Sequence, residues 1–125
     1  MIGYVMVGTR DITRAAAFYD ALLKEIGGTR YMASDRFIAW SSGPKTAGFC
    51  ICTPHDGKDA SVGNGVMVAL VVQRPEQVDA LHRRALELGA TDEGAPGERI
   101  AGFYAAYFRD LDGNKLNFFC MPGSA

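Results

Sequence analysis

The residues able to do chemistry in this chain are few. His82 comes first, because an imidazole titrates near neutral pH. It belongs to the series Val78, Leu81, His82, Ala85, Leu86, Gly89, whose i, i+3, i+4, i+7, i+8, i+11 spacing marks one face of a helix. That register predicts a helix residue packed at a sheet edge rather than a base. His55 closes Cys52-Thr53-Pro54-His55, a C-x-x-H spacing, but no second ligand pair exists and a zinc site is not expected. His55 and Asp56 are expected in a solvated loop, with the rim of a pocket as the sharper reading. Asp110 and Asp112 look like paired acid/base carboxylates. They stand just before Gly113, where such side chains ordinarily cap the backbone N–H groups of a turn. Gly94-Ala95-Pro96-Gly97 lacks the lysine and the strand-to-helix setting of a phosphate loop, and reads as a plain loop. Glu98 and Arg99 follow it. Arg99 is the cation best placed to meet an anionic ligand, Arg36 is another, and a solvated arginine is the plainer expectation for both. Asn117 is the one uncharged polar residue in Leu116–Cys120, and its alternation with Phe119 puts the two on one face of a strand.

Size and charge bound what these residues can serve. A chain of 125 residues with 48% apolar content builds one domain with a real core. A net charge of -1 gives no electrostatic case for nucleic acid or an anionic membrane. No apolar run approaches the roughly 20 residues that span a bilayer. Met1-Ile2-Gly3-Tyr4 has neither the charged nor the apolar region of a signal peptide. Cys50, Cys52 and Cys120 are odd in number and sit in apolar segments, the expectation for reduced, buried thiols in a cytoplasmic protein.

The elements that must position the candidates follow from periodicity. Residues 2–8 read as a buried strand. Asp11 and Thr13 are both suitable N-caps for a helix carrying Ala15, Phe18, Tyr19, Leu22, Leu23 and Ile26 on one face and ending at Gly27-Gly28. Tyr31-Met32, residues 36–41 and residues 48–53 read as three strands. Residues 54–65 hold three glycines and no apolar run. Residues 67–72 are the next strand, and Pro75 suits the first turn of the helix that contains His82. Residues 103–108 and 115–120 then form a hairpin across Arg109–Asn114, with Gly113 free to take a positive φ. The halves repeat weakly. Tyr4 and Met67 open them 63 residues apart, and Gly48–Ile51 aligns with Lys115–Phe118 at a shift of 67.

Phe108-Arg109-Asp110-Leu111-Asp112-Gly113-Asn114-Lys115-Leu116 resembles the closing hairpin of the vicinal-oxygen-chelate superfamily, which includes glyoxalase I, bleomycin-resistance proteins and extradiol dioxygenases. The usual pattern is F-x-D-P-D-G-N followed by a strand with a metal-binding Glu. Here Leu111 stands at the Pro position and Asn117 where the Glu is expected. The resemblance implies a single α+β domain over residues 1–125, built of paired βαβββ modules that curve together around a cleft. The first module is expected over about 1–54, the linker over 55–65 and the second module over about 66–121. It further implies that residues 94–97 form a mobile flap beside the cleft.

The same resemblance implies four metal vertices, which fall here on Tyr4, Met67, Asn117 and, at or beside it, Cys50. None is a His or a carboxylate, so no metal and no other cofactor is expected. Glyoxalase-type isomerisation and extradiol cleavage both need that metal. What the family implies instead is a cleft lined by Tyr4, Met6, Trp40, Cys50, Met67, Tyr104, Tyr107, Asn117 and Phe119, with Arg99 nearby. Such a surface suits a flat or apolar organic ligand. The expected function is a metal-independent small-molecule-binding protein, a homodimer with no nucleic-acid or membrane partner. The alternative is a glyoxalase-related lyase or isomerase (lactoylglutathione lyase-like) using a displaced metal or acid/base groups such as Tyr4, His82 or Tyr104. A dimeric scaffold without a ligand is the third reading.

Overall fold

The computed structural model describes residues 1–122 of the chain. Ten elements run in the order β1 (Tyr4–Gly8), α1 (Ile12–Lys24), β2 (Thr29–Ala33), β3 (Phe37–Ser41), β4 (Gly48–Cys52), β5 (Val68–Val71), α2 (Pro75–Glu87), β6 (Thr91–Ile100), β7 (Phe103–Arg109) and β8 (Lys115–Cys120). They divide into two compact units, Met1–Gly63 and the chain from Asn64 onward. Each unit is one βαβββ module. Its four-stranded mixed sheet has the order β1-β4-β3-β2 in the first unit and β5-β8-β7-β6 in the second. Among the described residues no helix is long and apolar enough to cross a membrane.

In the first unit Asp11 is the N-cap of α1, and its carboxylate accepts from the Arg14 backbone N–H at 3.0 Å. The helix stops at Gly27, which takes φ +79°. Its apolar stripe buries Phe18, Tyr19, Leu22 and Leu23 to 3% exposure or less. At about 1.5–3 kcal/mol for each large apolar side chain, this stripe is what fixes the helix on the sheet. Tyr19 meets Phe49 of β4 at 4.6 Å and Trp40 of β3 at 5.8 Å between ring centroids. That contact names the helix-facing side of the sheet.

The second unit repeats the device. Pro75 opens α2, and the Gln77 side chain accepts from the backbone N–H groups of Gln73 and Arg74 at 3.0 and 3.1 Å. Val78, Leu81, His82 and Ala85 are buried. Across from them Phe108 and Phe118, both fully buried, stack at 5.4 Å. Gly113 takes φ +90° in the β7–β8 turn. Asp110 accepts from the backbone N–H groups of Asp112 and Asn114, each at 2.9 Å, so its carboxylate does turn work.

One element departs from the sequence reading. Gly94-Ala95-Pro96-Gly97 is not a loop but the middle of the ten-residue strand β6, paired antiparallel to β7. The pairing survives glycine and proline because the register slips between Asp92 and Gly94 and again between Gly94 and Gly97. Such slips are where an edge strand tolerates residues that break a regular ladder.

Candidate functional site

Each sheet has one face on its helix and one open face. In the first unit the register pairs Met6 of β1 with Cys50 of β4, and Cys50 with Ala39 of β3. Tyr4, two residues before Met6, points the same way. Phe49 and Trp40 touch α1, so Tyr4, Met6 and Cys50 share the open face. Tyr4 and Met6 are 62% and 42% exposed, whereas Cys50 is buried at 1%. The Tyr31 hydroxyl lies against Cys50 and over Gly48, where any Cβ would collide with it. Burial pushes the Cys50 thiol up, the neighbouring Cys52 adds to this, and the hydrogen bond with Tyr31 opposes it. A thiol shifted this way keeps its proton at neutral pH and is a poor nucleophile.

Trp40 is a correction to the cleft inventory. It is 1% exposed on the helix side of the sheet, and its indole N–H donates to Asp20 of α1 at 2.9 Å. Arg30 of β2 grips the same carboxylate at 2.9 and 2.6 Å and lies 5.9 Å from the Trp40 ring centre. The Arg30 hydrogen bond is the main reason the Asp20 carboxyl is held below its ordinary range. This cluster docks helix to sheet. Near it, Thr29, Tyr31, Ser41, Gly43, Pro44 and Thr46 line an open hollow of about 410 Å³. Two of its hydroxyls, Ser41 and Thr46, stand 2.8 Å from each other and within hydrogen-bond reach of the Gly43 carbonyl, so one donates to that carbonyl and the other to its fellow hydroxyl or to the same carbonyl. They have little left to offer a ligand.

In the second unit the pairs are Ala69 with Asn117 and Tyr107 with Asn117. Lys115, Asn117 and Phe119 of β8 therefore share the open face with Phe103, Ala105 and Tyr107 of β7. Phe103 and Phe119 stack at 5.4 Å. Lys115 Nζ stands 5.5 Å from the Tyr107 ring centre, and the Arg99 guanidinium 5.3 Å from it. Met67, just before β5, is 42% exposed. Asn117 is the unusual member. It is 1% exposed, and its side-chain Oδ1 is buried without a hydrogen-bond partner. Leaving a buried amide oxygen unpaired costs about 1–3 kcal/mol, so this position is held against stability.

Tyr104 is the second correction. It pairs with Cys120 on the helix side, and its hydroxyl donates to Asp79 of α2 at 2.6 Å. That bond, with burial second, raises the Tyr104 phenol above its ordinary value. Tyr104→Phe is expected to lower stability by about 1 kcal/mol in urea unfolding and to leave ligand affinity unchanged. A large loss of affinity at constant stability would contradict the placement. His82 is likewise committed. It is 5% exposed, and its Nε2 meets Asp92 Oδ1 at 3.1 Å and the Tyr107 carbonyl at 3.2 Å, tying α2 to β6 and β7. His55 is exposed in the segment between the units. Arg36 is also exposed and donates to the Thr53 carbonyl at 2.8 Å. Tyr31 and Lys115 were not singled out from sequence. Lys115 was within reach, since it alternates with Asn117 and Phe119.

The donor set at the four positions expected as metal vertices does not fit a metal. Tyr4 offers a phenol, Cys50 a thiol that keeps its proton, Met67 a thioether and Asn117 a neutral amide. Among the described residues no three His, Cys, Asp or Glu side chains are grouped to hold an ion elsewhere.

The folded chain is similar to solved structures along its whole length. A glyoxalase/bleomycin resistance protein from Albidiferax ferrireducens T118 is 38% identical, with a TM-score of 0.90 over 98% of this chain and 99% of that one. A glyoxalase/bleomycin resistance protein/dioxygenase family enzyme from Burkholderia phytofirmans PsJN is 25% identical, with a TM-score of 0.78 over 95% and 97%. A lactoylglutathione lyase from Agrobacterium tumefaciens, at 18% identity and a TM-score of 0.70 over 96% and 92%, shares the fold alone. No curated protein matches the sequence. The Glyoxalase/Bleomycin resistance protein/Dioxygenase superfamily profile matches residues 1–118. With that match and two βαβββ modules of the expected strand order, the chain belongs to the glyoxalase/bleomycin resistance protein/dioxygenase superfamily.

Proposed function

We propose that the protein binds a small organic molecule on an open sheet face without a metal, in the manner of the bleomycin-resistance branch. One observation carries the reading. Asn117 stands where the family's closing Glu would stand, and its side-chain Oδ1 is buried and unpaired on the open face of the second unit. A neutral amide there is a weak metal ligand and a good partner for a ligand's donor. Support also comes from the surrounding aromatic and apolar side chains, Tyr107, Phe103 and Phe119. The lyase alternative draws less support. Of its metal-free acid/base candidates, Tyr104 and His82 are both spent on holding α2 to the sheet.

A homodimer is part of the proposal. Tyr4 and Met6 in the first unit and Met67 and Val71 in the second are 42–70% exposed, apolar side chains that a second copy could cover. The three cysteines are free thiols, which supports a reducing, cytoplasmic setting.

Elemental analysis of tag-free protein, with thermal unfolding in Ni, Zn, Mn and Fe(II), tests the metal-free reading. Substoichiometric metal and an unchanged midpoint are expected. About one equivalent per chain, with a metal-dependent rise in midpoint, would sink it and favour the lyase.

A further inference from the structure

The open face of the second unit carries a charge arrangement that the fold does not use. Arg30, Arg74, Arg84 and Arg109 each face a carboxylate, at 2.6, 3.9, 3.8 and 3.1 Å. Arg99 and Lys115 face none among the described residues, and both stand over one ring, that of Tyr107. Two like charges gathered on one aromatic ring leave positive charge there that no carboxylate among the described residues offsets. Arg99 is held there. Its side chain folds back along β6, donates to the Ala95 carbonyl, and rests over two glycines. A Cβ at Gly97 would come to 2.9 Å from one guanidinium nitrogen, and a Cβ at Gly94 to 3.3 Å from the other. The glycines of β6 thus make room for the guanidinium beside Tyr107. A guanidinium fixed before binding gives up little freedom when it meets an oxyanion.

A second observation points the same way along the strand. Moving down β8 from Lys115, the next open-face residue is Asn117 with its buried, unpaired oxygen, and the next is Phe119, stacked on Phe103. At roughly 3.3 Å per residue, cation, amide and aromatic pair follow one another over about 13 Å of strand.

We infer that this face recognises an organic anion, with its carboxylate or phosphate between Arg99 and Lys115 over Tyr107 and its apolar body along Phe119 and Phe103. A hydroxyl or N–H of the ligand supplies the donor that Asn117 lacks. The inference rests on the open face being the small-molecule site, and its test separates the two. The full chain, ¹⁵N-labelled, is titrated with benzoate, phenyl phosphate, inorganic phosphate and neutral benzamide, and followed by the Arg99 Nε–H, the Asn117 side-chain amide and the Tyr107 backbone N–H. At least one organic anion is expected to saturate these resonances about tenfold more tightly than benzamide and to weaken as NaCl is raised. Arg99→Gln and Lys115→Gln are each expected to lose about tenfold in affinity with an unchanged spectrum elsewhere. The stronger of benzoate and phenyl phosphate then names the oxyanion. Benzamide binding as tightly as the anions and indifferent to Arg99→Gln would overturn the anion and leave the small-molecule reading standing. Inorganic phosphate matching phenyl phosphate would mean an adventitious anion site and overturn recognition of the organic body. No probe saturating any resonance of this face would overturn both.

Discussion

Asn117→Leu is expected to make the ligand-free protein more stable, by about 1–3 kcal/mol in urea unfolding. The two side chains are close in size, and the leucine removes a buried oxygen that has no partner. The residue is 1% exposed and paired to Ala69 and Tyr107, so an apolar side chain meets apolar and aromatic neighbours there. The same change is expected to abolish saturable binding of the anions described above. Stability gained and binding lost together is what a residue kept for a ligand should show. A loss of stability of like size would mean that the amide is satisfied in the folded protein, and the case for Asn117 as the floor of a site would fail.

Trp40→Ala is expected to cost about 3–5 kcal/mol, the range for emptying a large aromatic from a packed core. The indole is wedged between Tyr19, Phe49 and the Asp20 carboxylate, with Arg30 over its ring. Trp40→Phe keeps most of the packing and loses only the indole N–H, for about 1 kcal/mol. In both variants the Arg99 and Asn117 resonances of the second unit are expected to respond to ligand as in the parent protein. A Trp40→Ala protein of unchanged stability that loses ligand would return Trp40 to the binding surface.

That reassignment shows where sequence stops being informative. The helices could be read because their apolar residues recur at helical spacing, and Asp11, Pro75, Gly27 and Gly89 mark their ends as capping chemistry requires. The β7–β8 turn could be read because Gly113 needs a positive φ and Asp110 sits where its oxygens reach the turn's N–H groups. The side of a strand on which an aromatic lies is harder, because both faces of these sheets carry aromatics. Trp40 and Cys50 belong to opposite faces, and only the β3–β4 register says so. Tyr104 and Tyr107 were a different matter. Three residues apart on one strand, they had to point to opposite faces, and the twofold period alone would have separated them. Strand β6 has no strand signature in sequence because glycine and proline are poor strand formers, and only its pairing with β7 makes it one. The unpaired oxygen of Asn117 depends on the two strands that flank β8 and has no signature in sequence beyond the missing Glu.

The slips in β6 have a consequence for the life of the protein in a crowded solution. β6 is the last strand of its sheet, and among the described residues no strand lies beside its outer edge. A regular edge of ten residues would be a template on which another chain could add a strand, and another after it. Pro96 offers no N–H to such a chain, and on either side of it the ladder changes step. An incoming strand finds no unbroken row of donors and acceptors to copy. The glycines that make room for Arg99 therefore also belong to the segment that keeps the sheet from growing into a fibre.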